Sequence, residues 1–286
     1  MRLLVVGASG HLGGEVTRRA ATAGWSVAGT FHGAPGRGPE PAGTAVAWHR
    51  LDIRDRAAVR TLVARVRPTA VVNAAYAYDD WAACADGAGH VAVASAAAGA
   101  RLVHLSTDVV HGGRPEPYGD DEPPSPVHPY GAAKAAAETA VRLADPGAVL
   151  LRTSLIIGDE HSRQVRLCLD LITGRRAGAL FSDEIRCPIA VEDLACAVLE
   201  LLESDVSGPL NVAGPEAVSR PELGALVARR YALDASALPA RTIAEAGLVR
   251  PGVIRLDSSR ARALLRTTPR RVSEVLAPRQ LSTVDD

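Results

Sequence analysis

The stretch Leu3-Leu4-Val5-Val6-Gly7-Ala8-Ser9-Gly10-His11-Leu12-Gly13-Gly14 settles how the rest of this 286-residue chain is read. Its apolar run is the pattern of a short strand covered on both faces, as in a parallel sheet. Gly7 ends that run, and a helical pattern follows over residues 15–23, closed by Gly24. Between strand and helix the glycines fall as Gly-x-x-Gly-x-x-Gly. Without Cβ atoms they permit a tight turn that brings backbone N–H groups and a helix amino end against a pyrophosphate. The motif therefore predicts dinucleotide binding through Gly7, Ser9, Gly10, His11, Leu12 and Gly13.

Outward from this turn, strands and helices alternate. Residues 25–30, 46–51, 70–72, 101–105 and 149–155 read as further strands, with a helix at 56–66. That rhythm predicts an α/β fold, a doubly wound parallel sheet of the Rossmann type. Ligands of such sheets sit outside the carboxyl ends of the strands, which makes Thr30, His32, Asp52, Ile53, Asn73, Ala74, Ala75 and Thr107 candidate contacts. The second strand ends without the acidic residue that would hold a ribose 2′-hydroxyl and repel a 2′-phosphate. NADPH is therefore favoured over NADH, with His32 and Arg37 either partners of that phosphate or solvated loop residues. Asp52 either accepts from the adenine amino group or caps the next helix. Residues 33–43 are rich in Pro and Gly and read as a loop.

Beyond residue 158 the alternation weakens. Helices at 165–172, 194–203 and 220–232 and a short strand at 209–212 divide the chain into a dinucleotide-binding domain, 1–158 with 187–203 returning to it, and a smaller carboxyl-terminal substrate lobe, 159–186 and 204–286. Zero formal net charge gives no global field for nucleic acid or an anionic membrane. Cys84, Cys168, Cys187 and Cys196 have neither Cys-x-x-Cys spacing nor a His at metal spacing, so no zinc site or disulfide framework is expected. With no signal-peptide core and no long apolar span, a soluble cytoplasmic protein is expected.

Tyr130-Gly131-Ala132-Ala133-Lys134 is the second informative stretch. Among 32 Lys and Arg residues, Lys134 is the only lysine. Four residues apart on a helix, the Tyr130 hydroxyl and the Lys134 ammonium share a face and can meet one ligand. The cation is expected to lower the tyrosine pKa towards neutrality and make Tyr130 a general acid or base. Glu138 lies one turn further along the same face.

Taken in order, Gly7-x-x-Gly10-x-x-Gly13, Asp52, Asn73-Ala74-Ala75, Ser106-Thr107-Asp108 and Tyr130-x-x-x-Lys134 resemble the extended short-chain dehydrogenase/reductases, and within them the dTDP-4-dehydrorhamnose reductase group. The resemblance continues through Arg152-Thr153-Ser154, Pro188, Glu192-Asp193-Leu194, Asn211 to Gly214, Arg250-Pro251 and Leu256-Asp257. It implies an NAD(P)H-dependent reductase of a nucleotide-linked 4-keto-6-deoxysugar or a related biosynthetic ketone. Tyr130 would protonate the carbonyl oxygen, Lys134 would bind the nicotinamide ribose and Thr107 would hydrogen-bond the substrate oxygen. Ser154 joins the cofactor contacts. Tyr76, Asp108, Val109, His111, Leu155 and Arg186 are the substrate-side candidates, with Arg152 and Arg163 as further grips for a diphosphate. A second copy of the chain is the expected assembly partner.

The chain also departs from this pattern. Val109-Val110-His111 stands where relatives carry Tyr-Val-Phe, and Leu155-Ile156-Ile157 where they carry Trp-Val-Tyr. The segment between Asn73 and Ser106 is shorter by about three helical turns, and Cys84 falls near an expected Asn of the proton relay. Tyr76, Tyr78 and Trp81 either supply aromatic surface from another side or belong to the core. His111 and His128 either assist the reaction or stand by. Two alternatives stay open: a non-catalytic NADP-binding regulatory subunit similar to the β subunit of methionine adenosyltransferase, and an NDP-sugar epimerase or dehydratase.

Overall fold

The structure, a computed structural model, describes residues 1–33 and 46–278, so Arg37 lies outside the described residues. The amino-terminal half runs β1 (Arg2–Val6), α1 (His11–Thr22), β2 (Ser26–Phe31), β3 (Ala47–Arg50), α2 (Arg56–Val66), β4 (Ala70–Asn73), α3 (Gly87–Ala97), β5 (Arg101–Leu105), α4 (Pro129–Ala144) and β6 (Val149–Arg152). The chain continues through β7 (Ile156–Ile157), α5 (Arg163–Ile172), β8 (Leu180–Phe181), β9 (Ile185–Arg186), β10 (Ile189–Ala190), α6 (Val191–Leu202) and β11 (Gly208–Asn211). It closes with β12 (Val218–Ser219), α7 (Arg220–Arg230), β13 (Ala240–Arg241), α8 (Ser259–Leu264) and α9 (Val272–Val275).

Seven strands form one sheet in the order β11-β6-β5-β4-β1-β2-β3, and every pairing in it is parallel. Alternate side chains of β1 face opposite layers, as a period of two requires. Leu3 and Val5 meet Val16 and Ala20 of α1 and Leu194 and Val198 of α6. Leu4 and Val6 meet the layer of Val59, Leu62, Val91 and Val141, contributed by α2, α3 and α4. This double coverage is why the opening run carries no polar residue between Leu3 and Val6.

Residues 208–211, which the sequence pattern assigned to the lobe, are instead the seventh strand of the main sheet, paired with β6 from Gly208 opposite Val149 to Asn211 opposite Arg152. The lobe boundary at 204 is therefore misplaced. A four-residue strand at the sheet edge carries too short a pattern to be assigned by periodicity. Helix α1 starts at His11 rather than at residue 15, because Gly10 is its N-cap. The segment after Asn73, read only as short, contains a π-helical turn, Ala82–Asp86, running into α3. Alanines and glycines leave α3 without a polar face to mark its period. Around α5 and α7, Val165, Leu169, Leu180, Leu223 and Val227 build a separate apolar cluster. Among the described residues no helix is long and apolar enough to cross a membrane.

His111 is fully buried, its ring stacked on Tyr118 with centroids 4.1 Å apart, and neither ring nitrogen has a hydrogen-bond partner. Burial, reinforced by Arg152, lowers its pKa to about 4. The unfolded chain therefore takes up a proton below about pH 6.5 that the folded chain refuses until near pH 4. Stability is full above the first value and falls by roughly 2–3 kcal/mol between them. Urea melts at pH 7 and pH 5 are expected to show His111→Phe losing less stability on acidification than wild type, and an equal loss would contradict this account.

Candidate active site

At the first turn, Gly7 adopts φ +85°, and a Cβ there would meet Ala75 N at 2.7 Å. A Cβ on Gly13 would meet Gly7 O at 2.1 Å, so the turn and α1 interlock only without side chains. Gly10 caps α1 without a side-chain hydrogen bond, leaving first-turn N–H groups available to an anion. His11 Nε2 is buried with no hydrogen-bond partner. A cradle closed to Cβ atoms, a free helix amino end and an orphaned imidazole nitrogen together fit a dinucleotide pyrophosphate.

The predicted contacts at the adenosine end divide. The Thr30 hydroxyl accepts from Gly7 N–H at 3.0 Å, which ties its side chain to the turn. Asp52 is not the helix cap: Asp55 accepts from Ala57 and Ala58 N–H and starts α2. Instead Arg54 grips Asp52 at 2.7 Å, reaches Asp80 at 3.0 Å and holds the Asp52 carboxyl well below the usual carboxylate range. His32 Nε2 lies 3.5 Å from Asp52. Ile53 is buried, its side chain against Gly87. The sequence reading missed Arg50 and Arg54. Arg50 pairs in register with Phe31 and donates to His32 O at 3.3 Å, which puts cationic charge beside the end of β2. Basic residues at 50 and 54, flanking the end of the third strand, are the sequence signal that could have found them.

Tyr130 stands in the first turn of α4. His128 caps that helix by accepting from Gly131 N–H at 2.9 Å. A Cβ on Gly131 would meet Val109 O at 2.2 Å, so the 3-10 turn Asp108–Val110, which follows Thr107, sits directly on the start of α4. The Thr107 hydroxyl donates to Asp108 Oδ1 at 3.3 Å and accepts from Val109 N–H at 3.4 Å. The Tyr78 ring stacks on Tyr130 with centroids 4.7 Å apart, and Tyr76 and His128 are each 6.3 Å from it. The Arg163 guanidinium lies 5.1 Å from the Tyr78 ring centre. Tyr76, Tyr78 and Trp81 are 53%, 38% and 52% exposed, so the open alternative resolves in favour of surface rather than core.

Lys134 does not depress the Tyr130 pKa here. Burial raises the phenol above its ordinary value, with Cys84 as the next contribution. The Lys134 Nζ is committed elsewhere: it donates to Leu105 O at 2.6 Å and lies 3.3 Å from His104 Nε2. Burial lowers the lysine pKa to about 8. Near both groups, Cys84 belongs to the π-helical turn and packs with Tyr130 and Ala133. Its thiol contacts Ala77 O at 3.0 Å.

Several candidates are built into the interior instead of an open pocket. Asp108 is buried, accepts from the Ser154 hydroxyl at 2.7 Å and lies 3.5 Å from Arg186 Nε, and burial raises its pKa. Arg186 is 1% exposed and donates to Ile185 O and Pro251 O at 2.8 Å and also to Gly252 O. Arg152 is bound by Glu138 at 2.8 Å and by the carbonyls of Asp120 and Glu122 at 3.0 Å. A guanidinium this deep must find its acceptors within the protein, which corrects both Arg186 and Arg152 as grips for a substrate diphosphate. The Ser154 hydroxyl, proposed as a cofactor contact, also accepts from Cys187 N–H at 3.2 Å. His111 likewise turns into the core against Tyr118. Val109 and Leu155 are half-buried, packed on the apolar clusters around Ile254 and around Val165. Of the three arginines only Arg163 stands over the Tyr78 ring that covers Tyr130.

A family model described as the RmlD substrate binding domain matches residues 1–279. The chain belongs to that family. The resemblance to extended short-chain dehydrogenase/reductases is thereby borne out, with it the oxidoreductase class and the nicotinamide-dinucleotide fold. Among relatives, the spore coat polysaccharide biosynthesis protein SpsK of Bacillus subtilis is 31% identical over 212 residues, 70% of this chain and 69% of that protein. A dTDP-4-dehydrorhamnose reductase of Mycobacterium tuberculosis is 32% identical over 237 residues, 77% of this chain and 72% of its own. Methionine adenosyltransferase 2 subunit beta of Bos taurus is 26% identical over 283 residues, 92% of this chain and 82% of that protein. A solved structure of dTDP-4-dehydrorhamnose reductase from Bacillus anthracis, in complex with NADP, aligns with a TM-score of 0.80 at 23% identity, covering 96% of both chains. At that identity the likeness carries the fold.

Proposed function

We propose that this protein is an NADPH-dependent reductase of a nucleotide-linked 4-keto-6-deoxysugar, with Tyr130 as the proton donor. The observation that carries the reading is the convergence of α4, bearing Tyr130 and Lys134, and the Thr107 turn at the same end of the sheet as the glycine cradle. When bound, NADPH supplies the hydride. Tyr130 donates its phenolic proton to the ketone oxygen, so C=O becomes CH–OH, and a phenol that burial keeps protonated through neutral pH suits the acid role. The Thr107 hydroxyl is the candidate second donor to the developing oxyanion. Gly7, Gly10, His11 and Gly13 would hold the pyrophosphate, and Arg50, Arg54 and His32 would meet the adenosine end. We place the substrate between this face and a lobe formed by residues 159–186 and by the chain beyond β11.

The exposed aromatics beside Tyr130 support a pocket rebuilt from the loop after Asn73 in place of the missing aromatic residues at 109, 111, 155 and 157. NADPH oxidation with dTDP-4-dehydrorhamnose and a panel of related keto sugars tests the reading, and no turnover across the panel would remove the sugar assignment. Tyr78→Ala is expected to raise KM for the productive substrate about fivefold with kcat little changed, since it removes stacking worth roughly 1 kcal/mol. An unchanged KM would take Tyr78 out of the pocket.

A second reading has one observation in its favour, the burial of Arg152 and Arg186 in structural ion pairs. With fewer free cations for a diphosphate, a dinucleotide-binding regulatory subunit like the Bos taurus relative is the competing function. Co-purification with a larger synthetase, without NADPH oxidation on any carbonyl, would favour it.

A further inference from the structure

The end of the sheet opposite the glycine cradle carries a recess that the reaction above leaves unused. Its volume is about 440 Å³, in the range of small-molecule sites. Val63 of α2 and Ala94 and Ala97 of α3 give it apolar surface, and Thr69 and Gly99 stand in it just before β4 and β5 begin. Arg2 opens β1 at this end and Gly7 follows β1 at the other, so the length of a five-residue strand, roughly 16 Å, separates recess from cradle.

Three guanidiniums line the recess, those of Arg2, Arg60 and Arg67. Arg60, Val63, Ala64 and Arg67 follow the i, i+3, i+4, i+7 spacing, so one face of α2 presents apolar surface between two cations. No acidic residue lines the recess, and among the described residues none of the three arginines is paired with a carboxylate. Arg2 Nε donates to Arg67 O at 2.9 Å, which orients that guanidinium and uses one of its five N–H donors. In a chain with a single lysine the choice of arginine says nothing; the placement and the missing partners do. Attraction to the carbonyl end of α2 accounts for Arg67 and Arg2. It does not account for Arg60, which stands almost two turns back, beyond the last turn where that attraction acts.

Arg67 also holds its place against its own backbone. It ends α2 in the left-handed region, at φ 49° and ψ 55°, where a helix ordinarily puts glycine. A side chain there crowds the following carbonyl oxygen, and strain of this kind gathers at ligand clamps.

We propose that this recess is a second ligand site, one that takes a phosphorylated small molecule of nucleotide size. Its phosphates meet the guanidinium forks of Arg2, Arg60 and Arg67, and its ring system lies on Val63, Ala94 and Ala97. No residue of the glycine cradle or of the Tyr130 site takes part, so the assignment stands apart from the reductase reading.

Backbone amide 15N–1H spectra of the full chain titrated with ADP test it. Thr69 and Gly99 report on the recess, while Gly10 and Gly13 report on the cradle, which ADP also enters under the dinucleotide reading. ADP is expected to shift Thr69 and Gly99 to saturation at millimolar concentration. In Arg60→Ala, which sets a better helix former on an exposed position, Kd read at those two amides should rise about fivefold or more. Arg67→Gly should show a similar rise while its Tm holds or increases, because glycine relieves the strain. Gly10 and Gly13 should titrate alike in all three proteins. No shift at Thr69 and Gly99, or an unchanged Kd in both variants, would overturn the proposal, and a fall in Tm for Arg67→Gly would assign that arginine to bracing the fold instead. Inorganic pyrophosphate binding there as tightly as ADP would overturn the nucleotide class. Shifts at the recess without any at Gly10 and Gly13 would support this site and count against dinucleotide binding.

Discussion

Tyr130→Phe is expected to lower kcat for keto-sugar reduction by about 10²–10⁴-fold, the range that a positioned general acid supplies. NADPH affinity should stay within about twofold, since the substitution removes one oxygen and leaves the ring packed against Tyr78, Ala133 and Cys84. Steady-state rates with saturating NADPH, together with a fluorescence titration of the cofactor, check both halves. A loss below about tenfold would mean that another group or water delivers the proton. Burial makes the assignment directional: it keeps the phenol protonated, so the residue starts as an acid, and the reverse reaction needs a change in its surroundings.

Glu138→Ala is expected to destabilise the fold by roughly 3–5 kcal/mol, as breaking one side of a buried ion pair does. Arg152 and Glu138 are 2% and 5% exposed at their side chains and meet at 2.8 Å. Glu138 also accepts from the Ser106 hydroxyl at 2.5 Å, while Arg152 donates to the carbonyls of Asp120 and Glu122. Without the carboxylate, a guanidinium stays in the core with two of its donors unpaired. Replacing both partners, Glu138→Leu with Arg152→Met, should recover much of the loss. Urea unfolding of the three proteins decides, and a single-variant loss under about 1 kcal/mol would contradict the pairing.

The cradle was legible because its constraint is steric: only glycine fits where a Cβ would lie 2.1 Å from Gly7 O, and such a rule leaves its mark on sequence. The alternation of strands likewise came through, since strands covered on both faces must be apolar throughout. The charged residues were less legible. Arg152 and Arg186 look the same in sequence whether they reach for a ligand or brace the interior, and only burial and partners separate those uses. Asp52 and Asp55 are both able to cap a helix, and where the helix begins, three residues earlier or later, decides between them. The pair Tyr130 and Lys134 was found by spacing, yet spacing could not say that Lys134 would turn to Leu105 and His104 in the neighbouring strand. Long-range partners of this kind have no local pattern.

Transfer of deuterium from NADPH labelled at the nicotinamide C4 position tests the central claim most directly. Incubated with dTDP-4-dehydrorhamnose and each of the two C4 epimers in turn, the protein should give a sugar product carrying deuterium at the former carbonyl carbon with one epimer and not with the other. Product without deuterium from either epimer, or no product while NADPH binds normally, would contradict hydride delivery to a ketone at this site.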